Sequence, residues 1–335
     1  MPRVKFIRSN ITAADEVQLL DRDYLEYSWS DLLWATLSVG RRSLLDIFAF
    51  GGASLMEIIW RCAIIRSKIE TQPYYVKGIR RGYDFCYNKS FQWLDGSEKG
   101  AITYFLGLAL AKLAAERQLN VPWLWHLDIY TKVNNPYGPP NKITYAGGTN
   151  SRPDLIGLSK TGDWLVCEAK GRSNSVTNKL RIKAKEQTRQ ISVVNGMPPN
   201  WRYASIARFS GKILAHEWID PSGWSDKSEA LYLDYYELID IYYQPIREFL
   251  NEDRSGLQVR ELNGREYLVG ELSGLDIWLG MELKLMRILP HLTEQEVTLE
   301  MIRGLLPEYT EFGSSETVGL DGIYVSTGKS WQKQK

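Results

Sequence analysis

The feature that most constrains this chain is the stretch from Ser151 to Lys170. It reads Ser-Arg-Pro-Asp-Leu-Ile-Gly, a short polar interval, then Asp-Trp-Leu-Val-Cys-Glu-Ala-Lys. Residues 155–158 and 164–167 are short apolar runs, and the turn formers Ser159, Lys160, Thr161 and Gly162 lie between them. Two apolar runs joined by such a turn predict a β-hairpin. Side chains alternate along a strand, so Glu168 and Lys170 share a face with Trp164 and Val166, while Asp154 opens the partner strand. The hairpin therefore brings two carboxylates and an ammonium to one end of a sheet.

That grouping has a chemical use. Two carboxylates leave most of the coordination sphere of a hard divalent cation to water and phosphate oxygens. The cation can lower the pKa of a bound water and neutralise charge on a phosphodiester. A lysine beside it can orient the attacking water or stabilise the pentavalent phosphorus centre. The competing reading of a Glu-X-Lys is a solvated ion pair on an edge hairpin. That reading must also account for a Pro-Asp at hairpin distance.

Pro153-Asp154 followed by Glu168-Ala169-Lys170 resembles the signature of the PD-(D/E)XK nuclease superfamily, the restriction-endonuclease-like fold. The likeness covers the middle of the chain, from Ser97 to Pro221. It implies that Asp154 and Glu168 ligate Mg²⁺, with Mn²⁺ able to substitute, together with the Ala169 carbonyl oxygen. Lys170 would be the catalytic lysine. In several branches a glutamate on the first core helix adds a ligand, and Glu98 is the candidate by position. Some exonuclease-like branches carry a glutamine on the helix after the lysine. Gln187 fits that placement, although the aromatic partner expected four residues on is Ile191 here.

The 335 residues suffice for one large domain or two smaller ones. Hydrophobic residues at 44% and charged residues at 24% are those of a folded chain rather than a disordered one. A net charge of +1 means that any nucleic-acid binding must come from a local basic patch. Cys62, Cys86 and Cys167 are too scattered for a disulfide framework and suggest a reducing compartment. His126, His216 and His291 lack metal-ligand spacing. No secretory signal is visible, and the most apolar stretch, 44–65, is interrupted by Asp46, Glu57 and Arg61. The expectation is a cytoplasmic protein that crosses no membrane. Gly157 to Gly162 is spaced like a phosphate loop, but Asp163 stands where its lysine is required.

Along the chain, residues 1–96 read as a helical and aromatic/basic N-terminal region. Ser30 is the expected cap of a first helix, and 43–66 the next one or two, broken at Gly51-Gly52. From Gln72 to Trp93, aromatics interleave with Lys77, Arg80, Arg81 and Lys89. Two readings stand there: base stacking and phosphate contact, or a β segment burying its aromatics. Residues 97–222 read as the nuclease-like core: a helix over 97–118, a strand over 123–131, a loop over 134–141, the hairpin, a helix reaching Val194, then strands over 204–209 and 213–219. On that last helix, Leu180, Ala184, Gln187, Ile191 and Val194 form a stripe, with Lys179 and Lys183 beside it. Arg181, Lys185 and Arg189 form a second basic row. Residues 223–335 read as an α+β region of unknown role, with helices over 228–251 and 293–306 and strands within 258–290.

The fold class expected is thus α/β: an αβββαβ core with one added strand, a helical N-terminal module and a mixed C-terminal region. The function expected is a metal-dependent nuclease, acting on DNA rather than RNA because the resemblance is to mostly DNA-cutting families. Its setting would be restriction, phage defence or a mobile element. Lys179, Lys183, Arg189, Arg80 and Arg81 are the candidate nucleic-acid contacts. The alternative is a binding or assembly subunit that keeps the fold and acts with a partner. Homo-oligomer or partner contacts are expected through the N- or C-terminal region.

Overall fold

A computed structural model describes residues 1–9, 23–39, 52–127, 152–220, 228–251, 256–272, 274–294, 297–308 and 315–332. It is mixed α/β. The strands run β1 (Pro2–Ser9), β2 (Tyr24–Glu26), β3 (Ile69–Val76), β4 (Ile79–Tyr87), β5 (Trp123–His126), β6 (Leu155–Leu158), β7 (Trp164–Arg172), β8 (Ile191–Val194), β9 (Trp201–Ser210), β10 (Ile213–Ile219) and β11 (Glu229–Leu231). Five more follow: β12 (Gln258–Leu262), β13 (Arg265–Leu272), β14 (Ile277–Glu282), β15 (Glu316–Val318) and β16 (Ile323–Thr327). The helices that matter below are α1 (Trp29–Ser38), α2 (Gly52–Lys68), α3 (Lys89–Gln92), α4 (Gly96–Leu119), α5 (Asn178–Thr188), α6 (Tyr235–Asn251), α7 (Leu283–Ile288) and α8 (Leu299–Leu305).

Nine strands form one sheet in the order β2-β1-β4-β10-β9-β7-β6-β5, with β3 paired to β4. From Gly96 to Ile219 the elements of this sheet and its two helices follow as helix, three strands, helix, two strands. β5, β6 and β7 are antiparallel, whereas β9 returns parallel to β7 after α5. The expected strand at 123 is seen to His126; the rest of it, and the loop over 134–141, lie outside the described residues. Five further strands make a separate sheet, β12-β13-β14-β16-β15.

The two faces of the large sheet can be told apart from register. Glu168 and Lys170 lie opposite Ala204 and Ile206 of β9. Those two residues pack with Ala184 of α5, so α5 covers this face. Further along it α6 lies over β5, where Trp123 Nε1 donates to Tyr243 Oη (2.9 Å) and Trp125 Nε1 to the Leu238 carbonyl (2.8 Å). Ala169 and Gly171 point to the opposite face, where α4 sits.

α4 forms because Asp95 caps it, accepting from Ser97 and Glu98 while Glu98 reaches back to the Asp95 amide. It ends at Asn120 in the left-handed conformation (φ 57°). Its middle, from Phe105 to Ala115, is buried on all sides because it is sandwiched between the sheet and α1.

Four expectations need correction. First, the N-terminal region is not a helical module: β1 pairs with β10, and β3 and β4 belong to the large sheet. The part of the 43–66 expectation before Gly52 lies outside the described residues, and the remainder is α2. Second, α1 is capped by Ser28 rather than Ser30, since Ser28 and Asp31 exchange bonds of 3.0 and 2.7 Å. Third, α5 stops at Thr188 rather than Val194. The β-branched run at 191–194 pairs instead with β11, and Asn195-Gly196, both at positive φ, turns the chain. Fourth, the helix over 228–251 begins only at Tyr235, where the Asp234 carboxylate accepts from the Tyr236 amide. That over 293–306 begins at Leu299, capped by Thr298.

Candidate active site

β7 ends the hairpin with three polar side chains where β6 has already turned away. The β6–β7 ladder closes at the Leu155–Cys167 pair. One residue beyond it, the Asp154 amide donates not to a strand carbonyl but to Glu168 Oε2 (2.9 Å). The Asp154 carbonyl accepts from Leu127 (2.9 Å). The strand start is thereby fixed while its carboxylate stays at the surface.

Lys170 Nζ lies 3.5 Å from Asp154 Oδ2 and forms a close ion pair with Glu168 Oε1. The three side chains therefore converge as expected from alternation. They differ in exposure: the Asp154 and Lys170 side chains are about one-fifth exposed, whereas Glu168 is fully buried. Burial, reinforced by the Asp154 charge and opposed by Lys170, pushes the Glu168 carboxyl up to about 8. Burial works against the Lys170 ammonium, but Glu168 and Asp154 outweigh it and hold its pKa above the ordinary value. Two carboxyls thus share one ammonium, and Glu168 is the one that holds its proton near neutral pH. Cys167 faces away; burial and the neighbouring carboxylates raise its thiol well above the usual range, which makes it inert.

Gln187 comes to the same place from α5. It is buried, and its Nε2 donates to the Arg152 carbonyl (3.0 Å), two residues before Asp154. Its Oε1 is buried and accepts no hydrogen bond among the described residues. Lys183 and Lys179 lie one and two turns earlier on the same helical row, and both are exposed. Arg189, just past the helix, is half-buried and Arg181 is engaged elsewhere. It grips the buried Glu217 (2.6 and 3.1 Å), which Arg208 also approaches at 3.7 Å.

Glu98 has another task. Its carboxylate accepts from the Asp95 amide (3.1 Å) as part of the α4 cap. Among the described residues no three His, Cys, Asp or Glu side chains gather as a metal set, so Glu98 is not brought to Asp154 and Glu168. Arg80 and Arg81 lie on β4, away from this cluster. Ala169 sits opposite Ser205 on β9, its methyl toward α4.

Two contributors escaped the sequence reading. Gly171 lies against α4: a Cβ there would stand 1.8 Å from the Thr103 carbonyl oxygen. Gly107 of α4 meets the Lys170 carbonyl in the same way, at 2.8 Å. The glycine following Glu-Ala-Lys, and another in the midst of an apolar helix, were the available signals.

The donor set suits a hard divalent cation. It offers the oxygens of Asp154 and Glu168, and a bound cation would favour the ionised form of the buried glutamate. No protein-family model, curated protein or solved structure matches the chain. No helix among the described residues is long and apolar enough to cross a membrane.

Proposed function

We propose that the protein is a metal-dependent nuclease of the PD-(D/E)XK kind, hydrolysing phosphodiester bonds of DNA. The observation that carries this reading is the convergence of Asp154, Glu168 and Lys170 at the open end of β7, with Glu168 buried and its pKa raised. The element order around them, helix, three strands, helix, strand, supports it.

Asp154, Glu168 and the Ala169 carbonyl oxygen would hold Mg²⁺ or Mn²⁺, which supplies Lewis acidity toward water and phosphate. Lys170 stays protonated between the two carboxylates and offers its hydrogen bonds to the attacking water or to charge developing on the phosphate. Gln187 positions the Arg152–Asp154 turn through its amide and presents its other end to the site. Lys179 and Lys183 give α5 an exposed cationic row along which a phosphate backbone can lie, and Arg189 stands just past its end. Preference for DNA rests on the resemblance, as does a setting in restriction, phage defence or mobile elements.

The test is incubation of the purified chain with plasmid, single strands and RNA in Mg²⁺ or Mn²⁺. Asp154→Asn and Lys170→Ala should each lower cutting by about 100-fold or more, with circular dichroism unchanged. Full activity in either variant would place the chemistry elsewhere. Binding without cutting under every condition would favour the assembly-subunit reading.

A further inference from the structure

β3 and β4 form a ribbon whose outer half leaves the sheet. Only the inner end of β4 joins it, through Cys86 opposite Ile213 of β10 and through Tyr83 and Asp84 beside β1. The two strands continue outward as a pair closed by a two-residue turn at Lys77-Gly78, both at positive φ (52° and 77°). The root is rigid. Arg3 lies between the rings of Tyr24 (3.8 Å) and Tyr74 (3.3 Å) and pairs with Asp84. Phe85 and Cys86 are buried.

The outer half is unlike the root. Tyr75, Val76 and Ile79 are 61%, 48% and 57% exposed and lie together at the tip, a grouping of the kind that marks interaction surfaces. Lys77, Arg80 and Arg81 stand among them, and no acidic residue occurs between Thr71 and Tyr83. A clamped ribbon that shows the solvent aromatic, aliphatic and cationic groups, and no anion, is built for a polyanion with stackable or groove-lining surfaces.

We propose that this ribbon docks into a groove of duplex DNA, with Lys77, Arg80 and Arg81 on the phosphates and with Tyr75 and Ile79, which register places on opposite faces of the ribbon, against the two walls of the groove. The major groove of B-form DNA admits a two-stranded ribbon, whereas that of A-form RNA does not. This proposal rests on the nucleic-acid reading of the candidate active site. Lys170 is in register with Ile206 and Glu217, four residues along β10 from the Ile213 root. With strand spacings and rises of usual size, the root lies about 20 Å from Lys170. Tyr75 and Arg80 lie five and six residues beyond Glu70 and Cys86 of that root, so the probe duplex is longer than one turn.

The experiment measures binding of a fluorescent mixed-sequence 30-mer DNA duplex by anisotropy, in the Asp154→Asn background so that nothing is cut. Lys77→Ser/Arg80→Ser/Arg81→Ser together should weaken binding at least tenfold and flatten the salt dependence by roughly two to three ion equivalents. Tyr75→Ser/Ile79→Ser should weaken it with the salt slope intact. Both changes fall on exposed positions, and unchanged thermal melting checks the fold. The same duplex made of RNA should bind more weakly. Wild-type-like DNA binding by the triple variant overturns the ribbon assignment while leaving the active-site reading in place. Equal, ribbon-dependent binding of duplex RNA overturns groove entry. A ribbon-dependent duplex binder that never cuts overturns the nuclease reading alone, and failure of the parent to bind any nucleic acid overturns both. Loss of binding to anionic vesicles with duplex binding unchanged would assign the ribbon to a membrane surface and sink the proposal.

Discussion

His216 shows how much a single side chain can carry here. It is fully buried on β10, and both Ser205 Oγ (2.7 Å) and Trp218 Nε1 (3.0 Å) approach its Nε2. The indole can only donate, so Nε2 must accept and the ring is neutral. Burial lowers its pKa to about 3. An unfolded histidine takes up a proton near 6.5, so the stabilisation is complete above that value and is lost as pH falls from about 6.5 towards 3. His216→Gln should therefore show a shallower loss of stability between pH 6.5 and 4 than the parent chain. Urea midpoints across that range measure it; parallel curves would mean that His216 does not titrate on unfolding. Composition and spacing assigned this histidine no catalytic or metal role, which agrees with its burial. The chain does not announce its two donors, because Ser205 is brought to it by strand pairing.

At the scale of elements, the strand that carries Glu168 and Lys170 is set by the helix behind it. α4 crosses β7 so closely that Gly107 and Gly171 leave room for backbone to meet backbone. Gly171→Ala would drive a methyl into the Thr103 carbonyl, and neither partner is a flexible side chain that could yield. The expected cost is about 1–3 kcal/mol, and the displaced Lys170 should lose most of its cutting activity. A melting temperature and cleavage rate both equal to the parent's would show that helix and strand are not in such contact. The hairpin was legible in its alternation and turn residues, since both strands lie within twenty residues of each other. The end of α5 was not. Helical spacing and a β-branched run predict different structures for 191–194, and pairing with β11, almost forty residues later, decides between them.

Across the whole molecule, a buried ionic knot ties the C-terminal sheet to the rest. Asp321, in the turn between β15 and β16, accepts from Trp34 Nε1 of α1 (3.2 Å) and from Tyr242 Oη of α6 (2.6 Å). It lies 3.7 Å from Lys112 of α4, with neither side chain exposed. Burial pushes the nearby Glu116 carboxyl up to about 8. Asp321→Ala would leave the Lys112 ammonium buried with its nearest ion-pair partner gone. A loss of about 3–5 kcal/mol is expected in chemical denaturation, because an uncompensated buried charge is costly. A change below 1 kcal/mol would show that the knot is dispensable. The same core cluster runs from Val4 to Trp331, so residues after 222 share it with β7.

The chain by itself determined a placement: which carboxylates and which amine share one face of a hairpin, with a glutamine one element later. Those relations are local, and alternation along a strand or rows along a helix fix them whatever the remainder does. Only the tertiary structure decided how deeply Glu168 is buried, that Glu98 is spent on a helix cap, that the first strands join the large sheet, and that the outer half of an aromatic and cationic ribbon leaves it. Burial and long-range pairing depend on neighbours tens to hundreds of residues away, and no local pattern encodes which of them will arrive.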